Sequence, residues 1–247
     1  MTGTLINITT IIIGSTLGLI FGSRLPERVR QTVVAGLGLF TATIGIQMFL
    51  KTENSIIVLG SILIGGILGE WWRIEEKLDN LGGYLETQFS KHANLSPQAA
   101  PTPGESVARV RFMKGFLTAS LLFCVGPMTI LGSIQDGLSG DYKLLAIKSV
   151  LDGFASLAFA STLGVGVLFS TLTVLIFQGG ISLLAVQAQA VITAPMMNEM
   201  TAAGGLLLVG LAISSLLEIK PIRVGNFLPA LGLAPLIVGI LNSMGIQ

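Results

Sequence analysis

The sequence predicts an all-α, polytopic transmembrane helical bundle of seven or eight spans. Three observations predict it. Hydrophobic residues make up 51% of the 247 residues and charged ones only 11%, against about 25% charged in a soluble globular domain. The mean hydropathy is +0.82, and the 14 Lys and Arg with 13 Asp and Glu are too few to clothe a water-soluble surface of this size. Finally, the 31 glycines suit membrane helices, whose backbones approach closely where side chains are small.

A helix needs about 20 mostly apolar residues to cross the hydrocarbon. Eight stretches qualify, some of them marginally: Leu5–Gly22, Val33–Leu50, Ser55–Trp72, Phe112–Ile134, Leu144–Gly164, Val165–Val186, Ala202–Leu217 and Phe227–Met244. The fifth and sixth are contiguous, so only a tight turn at the glycines near 164–166 separates them. No stretch shows the sustained alternation of a membrane β-barrel. The start lacks a basic region ahead of its apolar run and carries Thr2, Thr4 and Asn7, so it reads as a retained first span rather than a cleaved signal.

The chain reads as a single membrane domain, 1–247, with spans within 5–72 and 112–244 and a polar segment at 73–111. The first part of that segment spaces Trp71, Ile74, Leu78, Leu81, Leu85 and Phe89 at three- and four-residue steps. Arg73, Glu76, Lys77, Asp79 and Glu86 fall on the other face, giving an amphipathic helix at the interface or on the protein. From His92 to Glu105 the composition is that of a flexible linker. Orientation follows the basic residues. With both termini outside, eleven Lys and Arg lie in inner segments, and only Lys51, Lys143 and Lys148 in outer ones.

Function classes narrow quickly. A net charge of +1 gives no basic patch for nucleic acid. One cysteine, Cys124, and one histidine, His92, exclude an intramolecular disulfide and any CxxC or HExxH metal site. No GxxxxGK[ST] loop is present, so ATP-driven transport within this chain is excluded. No cofactor, metal or catalytic residue is expected, and the chain is not read as an enzyme.

Asp152 is the most informative residue. It follows Lys148-Ser149-Val150-Leu151 and precedes an uncharged run. It sits roughly 12 Å inside its span at 1.5 Å per residue. A carboxylate at that depth costs about 2.5–3.5 kcal/mol on insertion scales and usually faces a pathway. The alternative is a structural pair with Lys148 one turn earlier, with the lysine reaching outward. That order, Lys before Asp, is the weaker one on a helix. Ser149, Gly153, Ser156, Ala160 and Gly164 form a small-residue stripe on the same helix, read first as a packing face. Gly126-Pro127 interrupts the fourth span and frees carbonyls at membrane depth. Gln178, Asn7 and Asn226 are neutral polar residues in or beside spans, more readily packing hydrogen bonds than ligands. Glu70 ends the third span near the interface, where it is expected to be solvated, and Glu199 reads as a solvated loop residue.

At a constant offset of 169, Gly36 meets Gly205, Ile44 meets Ile213 and Lys51 meets Lys220. The first three and last three spans enter the membrane from opposite sides, so such a repeat would be inverted, an arrangement common in secondary transporters.

These residues carry a resemblance. Leu25-Pro26-Glu27-Arg28, Gly69-Glu70, Gly140-Asp141, Lys148-Ser149 with Leu151-Asp152, Pro195-Met196-Met197, Gly204-Gly205-Leu206-Leu207 and Asn226-Phe227-Leu228-Pro229-Ala230-Leu231, in this order, resemble the bacterial membrane family catalogued as domain of unknown function 554. The resemblance implies a bacterial inner-membrane protein; it supplies no substrate. From the residues, the leading expectation is a secondary transporter or a solute or ion conduit, proton- or cation-coupled. Its candidate residues are Asp152, Lys148, Ser156, Gly126, Pro127, Gln178, Asn7 and Asn226. The alternative is a membrane scaffold or sensor that does not transport. Expected partners are the lipid bilayer and an unidentified small solute or ion, with no nucleic acid, and a homo-oligomer is compatible with the sequence.

The topology is testable in a Cys124→Ser background with single cysteines placed in the linker or at the C-terminus. An impermeant thiol reagent applied to intact cells should label the C-terminus and spare the linker; the reverse pattern would invert the orientation.

Overall fold

The computed structural model describes residues 1–22, 26–78, 80 and 103–245. These residues are helical with short connections and contain no strand. The helices are α1 (Thr2–Gly22), α2 (Glu27–Phe49), α3 (Ser55–Trp72), α4 (Pro103–Cys124), α5 (Pro127–Ser139), α6 (Lys143–Leu163), α7 (Gly166–Leu183), α8 (Ala185–Val191), α9 (Ala194–Leu211) and α10 (Ala230–Ser243). A π-helical turn, Ala212–Leu216, extends α9, and a 3-10 turn, Val224–Phe227, precedes α10. Among the described residues, seven helices are long and apolar enough to span a membrane, and the pair α4–α5, bent by 60°, gives an eighth if the two form one broken span.

Helices α1 and α3 are sorted differently from the helices of a soluble protein. On α3 the residues facing the bundle are Ile57, Val58, Ser61, Gly65 and Gly69. Its outward face presents Ile56, Leu59, Leu63 and Ile67. Lipid tails solvate large apolar side chains as well as a protein core does, so burial selects for small and polar residues that pack or hydrogen-bond. The same sorting holds for α1, which buries Gly3, Thr4, Asn7, Ile11, Gly14, Ser15 and Gly18.

The tightest pairing is between α1 and α6, which run parallel. A methyl group added at Gly14, Gly18 or Gly22 would collide with the backbone carbonyl of Gly153, Leu157 or Ser161 respectively. These three glycines, four residues apart, form the small face that the stripe on α6 requires as its partner. Gly153, Ser156 and Ala160 of that stripe lie against α1. Antiparallel α2 and α9 make a second close crossing, where a Cβ at Gly45 would strike the Gly205 carbonyl and one at Gly205 the Gly45 carbonyl.

Polar contacts define the two faces of the bundle. On the amino-terminal face, the Met1 ammonium lies 3.1 Å from Asp136, and Glu199 binds the α2–α3 loop. On the opposite face, Arg223 pairs with Glu70 at 2.9 Å and Lys114 with Glu218 at 2.7 Å. The Lys114 ammonium donates to the Glu218 carboxyl, and its charge adds to the hydrogen bond, so Glu218 is held below the ordinary carboxylate range. Gly239 lies against Met196, which returns the end of α10 to the amino-terminal face.

Several boundaries differ from those read in the sequence. The turn near 164–166 is real: α6 stops at Leu163, Gly164 adopts φ 81°, ψ −157°, and α7 starts at Gly166. The fourth span is two helices rather than one, and residues 103–111, expected at the end of the linker, belong to α4. The seventh span starts at Ala194 rather than Ala202, because Thr193 caps it, accepting from the Met196 N–H, and Pro195 suits its first turn. Of the amphipathic segment, a helical turn at 74–78 follows Arg73, whose left-handed backbone (φ 50°) ends α3. Leu81, Leu85, Phe89 and the His92 linker lie outside the described residues.

The α1–α6 seam gives a direct test. Gly18→Val should destabilise the protein by about 1–3 kcal/mol or more, as overpacking against backbone does, whereas Gly36→Val, where an added Cβ meets nothing within 4 Å, should be neutral. Thermal melts in detergent compare the two, and equal melting would contradict the seam.

Candidate functional site

Three helices bring polar residues together around Asp152, and a fourth adds an aromatic ring. Asp152 lies nine residues beyond Lys143, the start of α6, or about 14 Å along its axis. Its side chain is 8% exposed, as is that of Lys148. Lys148 donates to Asp152 Oδ2 across one helical turn. Asn7 of α1 donates through Nδ2 to the same oxygen at 3.0 Å and to Gln178 Oε1 at 2.9 Å. Gln178 of α7 in turn donates through Nε2 to Thr4 Oγ1 at 3.2 Å. The Lys148 ammonium also sits 5.9 Å from the centre of the Phe123 ring on α4, within range of a cation–π attraction.

Phe123 stands at the break in the fourth span. Gly126, at φ 156° and ψ 153°, separates α4 from α5, and Pro127 opens α5. The break frees the Phe123 carbonyl, which accepts from Thr129 Oγ1 at 3.0 Å. The buried Cys124 thiol closes α4 on the same side. The C-terminal end of one half-helix and the N-terminal end of another therefore meet at membrane depth beside a buried ion pair.

Residues 2–239 match the family model described as "Protein of unknown function (DUF554)". The chain belongs to the DUF554 family. It is 30% identical to the "Uncharacterized membrane protein YdfK" of Bacillus subtilis (strain 168), with each chain covered in full. It is 32% identical to the "Uncharacterized protein YqgA" of Escherichia coli (strain K12) over 94% of each chain. No solved structure matches.

In this DUF554 chain, Asp152, Lys148, Asn7 and Gln178 form one network, with Gly126 and Pro127 at the adjoining break. Lys148 does not reach outward as the paired alternative supposed; it is buried, and the ion pair forms despite its sequence order. Ser156 stays outside the network, donating to the Gly153 carbonyl at 2.8 Å one turn beyond Asp152. Asn226 is at the opposite face. There its Nδ2 donates to Glu70 Oε2 at 2.6 Å and its Oδ1 accepts from the Glu75 N–H at 2.8 Å. Glu75 Oε2 accepts from the Gly225 N–H at 2.5 Å. Glu70, Glu75 and Asn226 line a cavity of about 410 Å³ together with Arg73, Glu76 and Arg223.

Two buried carboxylates escaped the sequence reading. Glu199 is 1% exposed and not a solvated loop residue. It accepts from Thr52 Oγ1 at 2.7 Å and from the N–H groups of Glu53 and Asn54 at 2.8 and 3.0 Å, so it holds the α2–α3 loop onto α9. Asp136 on α5 accepts from the Gly3 N–H at 3.0 Å at the start of α1. Its sequence signal, a lone acid near the end of an apolar run, was present.

Proposed function

We propose that this protein is a secondary transporter, or a solute or ion conduit, of the bacterial inner membrane, with the Lys148–Asp152 pair as its coupling group. The observation that carries the reading is the coincidence of that buried pair with the α4–α5 break. Discontinuous helices place their charged ends at the binding sites of many transporters, and ionisable groups within spans are expensive enough to be kept chiefly for function. Asp152 is the group that binds and releases a proton or cation; Lys148 balances its charge while the ion is absent. Asn7 and Gln178 hold the carboxylate from α1 and α7, so a change at Asp152 is felt by three helices. No catalytic residue, cofactor or metal enters the proposal, and the termini are placed outside by the basic-residue rule.

The inverted repeat belongs to the same reading. A twofold axis relating the first and last three spans would pair α2 with α9, α3 with α10 and α1 with α7. All three pairs touch.

Asp152→Asn alone would strand the Lys148 ammonium, so the decisive variant is Lys148→Gln with Asp152→Asn, which removes both charges and keeps the shapes. Proteoliposomes loaded with a pH dye would be challenged with panels of carboxylates, amino acids, sugars and amines under an imposed potential. At least one class should drive a flux through the wild-type protein that the folded double variant loses. Equal flux through both proteins would overturn the assignment of the pair, and a wild type that moves nothing in the panel favours the scaffold reading.

A further inference from the structure

Seven buried side-chain polar atoms among the described residues have no hydrogen-bond partner, and three of them, Asn7 Oδ1, Ser182 Oγ and Asp136 Oδ1, belong to the mutually packed helices α1, α7 and α5, where neighbouring residues connect them in one line. Each costs about 1–3 kcal/mol if left dry, and buried water is the usual means of satisfying such groups. The line begins at the amino-terminal face, where Asp136 adjoins the exposed residues 137–140. Ser182 is the next station: its carbonyl abuts Gly137, the residue after Asp136. Gln178 lies one turn back on the same face of α7 and is bonded to Thr4. Asn7 follows one turn along α1, and Asn7 binds Asp152.

We infer that this track, from Asp136 past Ser182, Gln178 and Asn7, is a hydrated path by which protons reach Asp152 from the amino-terminal face, and that the coupling ion is a proton. The inference rests on the transport reading above and names its ion. A metal cation is the poorer occupant because the Lys148 ammonium already sits on the Asp152 oxygen and would repel it. A proton needs no such vacancy. It leaves bulk water, passes between hydrogen-bonded waters and ends on the Asp152 carboxylate, while Lys148 keeps its own proton. The pair goes from zero net charge to +1 and no electrons move. The titratable groups facing Asp152 are Lys148 on its own helix and Cys124 on α4, whereas α1 and α7 present the neutral Asn7 and Gln178. Asp136 is the one carboxylate on the track besides Asp152 itself.

Infrared spectroscopy of the protein in proteoliposomes tests this without a transported solute. The carboxyl band of protonated Asp152 is identified by its loss in Asp152→Asn, and its rate of appearance is followed after the pH is lowered on the amino-terminal side. Asn7→Leu and Ser182→Val should each slow that rate at least tenfold. Thr201→Val, which removes another partnerless buried hydroxyl away from the track, should leave it unchanged. If Asn7→Leu does not fold, Ser182→Val decides. Rates equal to wild type in the folded track variants, or an Asp152 band that never appears, would overturn the path. Slowed proton entry in a protein that moves no solute would instead sink the transport reading and leave the path standing. Solute-driven flux with undiminished proton entry would do the reverse.

Discussion

An ammonium and a carboxylate cannot be left in hydrocarbon without partners, and the arrangement of the bundle around Lys148 and Asp152 follows from that constraint. Moving such groups out of water costs several kcal/mol each, and their attraction repays this only with good geometry and further hydrogen bonds. The pair has that geometry across one helical turn, and the remaining demand is met from outside α6: Asn7 binds the carboxylate and the Phe123 ring lies under the ammonium. Asn7 can reach only because α1 lies against α6 with almost no side chain between them. The glycines at 14, 18 and 22 therefore serve the polar site as much as the packing. Gln178 extends the same network into α7, so three helices depend on the charge state of one residue.

The other buried carboxylates obey the same rule at the ends of the bundle. Glu199 has no ion-pair partner among the described residues; two backbone N–H groups and a hydroxyl of the α2–α3 loop satisfy its carboxylate. Asp136 stands at the amino-terminal end of α1, where the unsatisfied N–H groups of the first turn favour negative charge. At the opposite face, Asn226 ties the turn before α10 to the end of α3 through Glu70 and Glu75. Loops are thus anchored to helices by side chains on both faces, while the lipid-facing surface is left to Ile, Leu and Phe.

How much of this was legible depended on the range of each signal. The spans were, because hydrophobic length is local, and so were the break at Gly126-Pro127 and the turn at Gly164, since Gly and Pro act on their own backbone. Asp152 stood out because a charge in an apolar run is conspicuous. Asn7 and Gln178 are candidates from the sequence as polar residues in spans, but nothing there joins them to Asp152, from which they stand 145 and 26 residues away. The order of Lys148 and Asp152 pointed away from a pair, because that preference comes from exposed helices in water, where an unmade pair is cheap; in hydrocarbon it is not. Glu199 reads as a loop residue when the apolar run is counted from Ala202; the cap at Thr193 sets the helix start at Ala194 and carries Glu199 into α9. The Gly14, Gly18 and Gly22 spacing was in the sequence and would have named α1 as the partner for the stripe on α6.

The claim that the pair and its surroundings form one unit is tested most directly by a double-mutant cycle on purified protein, with thermal or denaturant unfolding as the readout. Lys148→Gln and Asp152→Asn should each cost about 3–5 kcal/mol, because each leaves its partner buried and uncompensated. The double variant should recover most of that loss, so that the two effects are far from additive. Single variants as stable as the wild type, or costs that simply add in the double variant, would contradict the account.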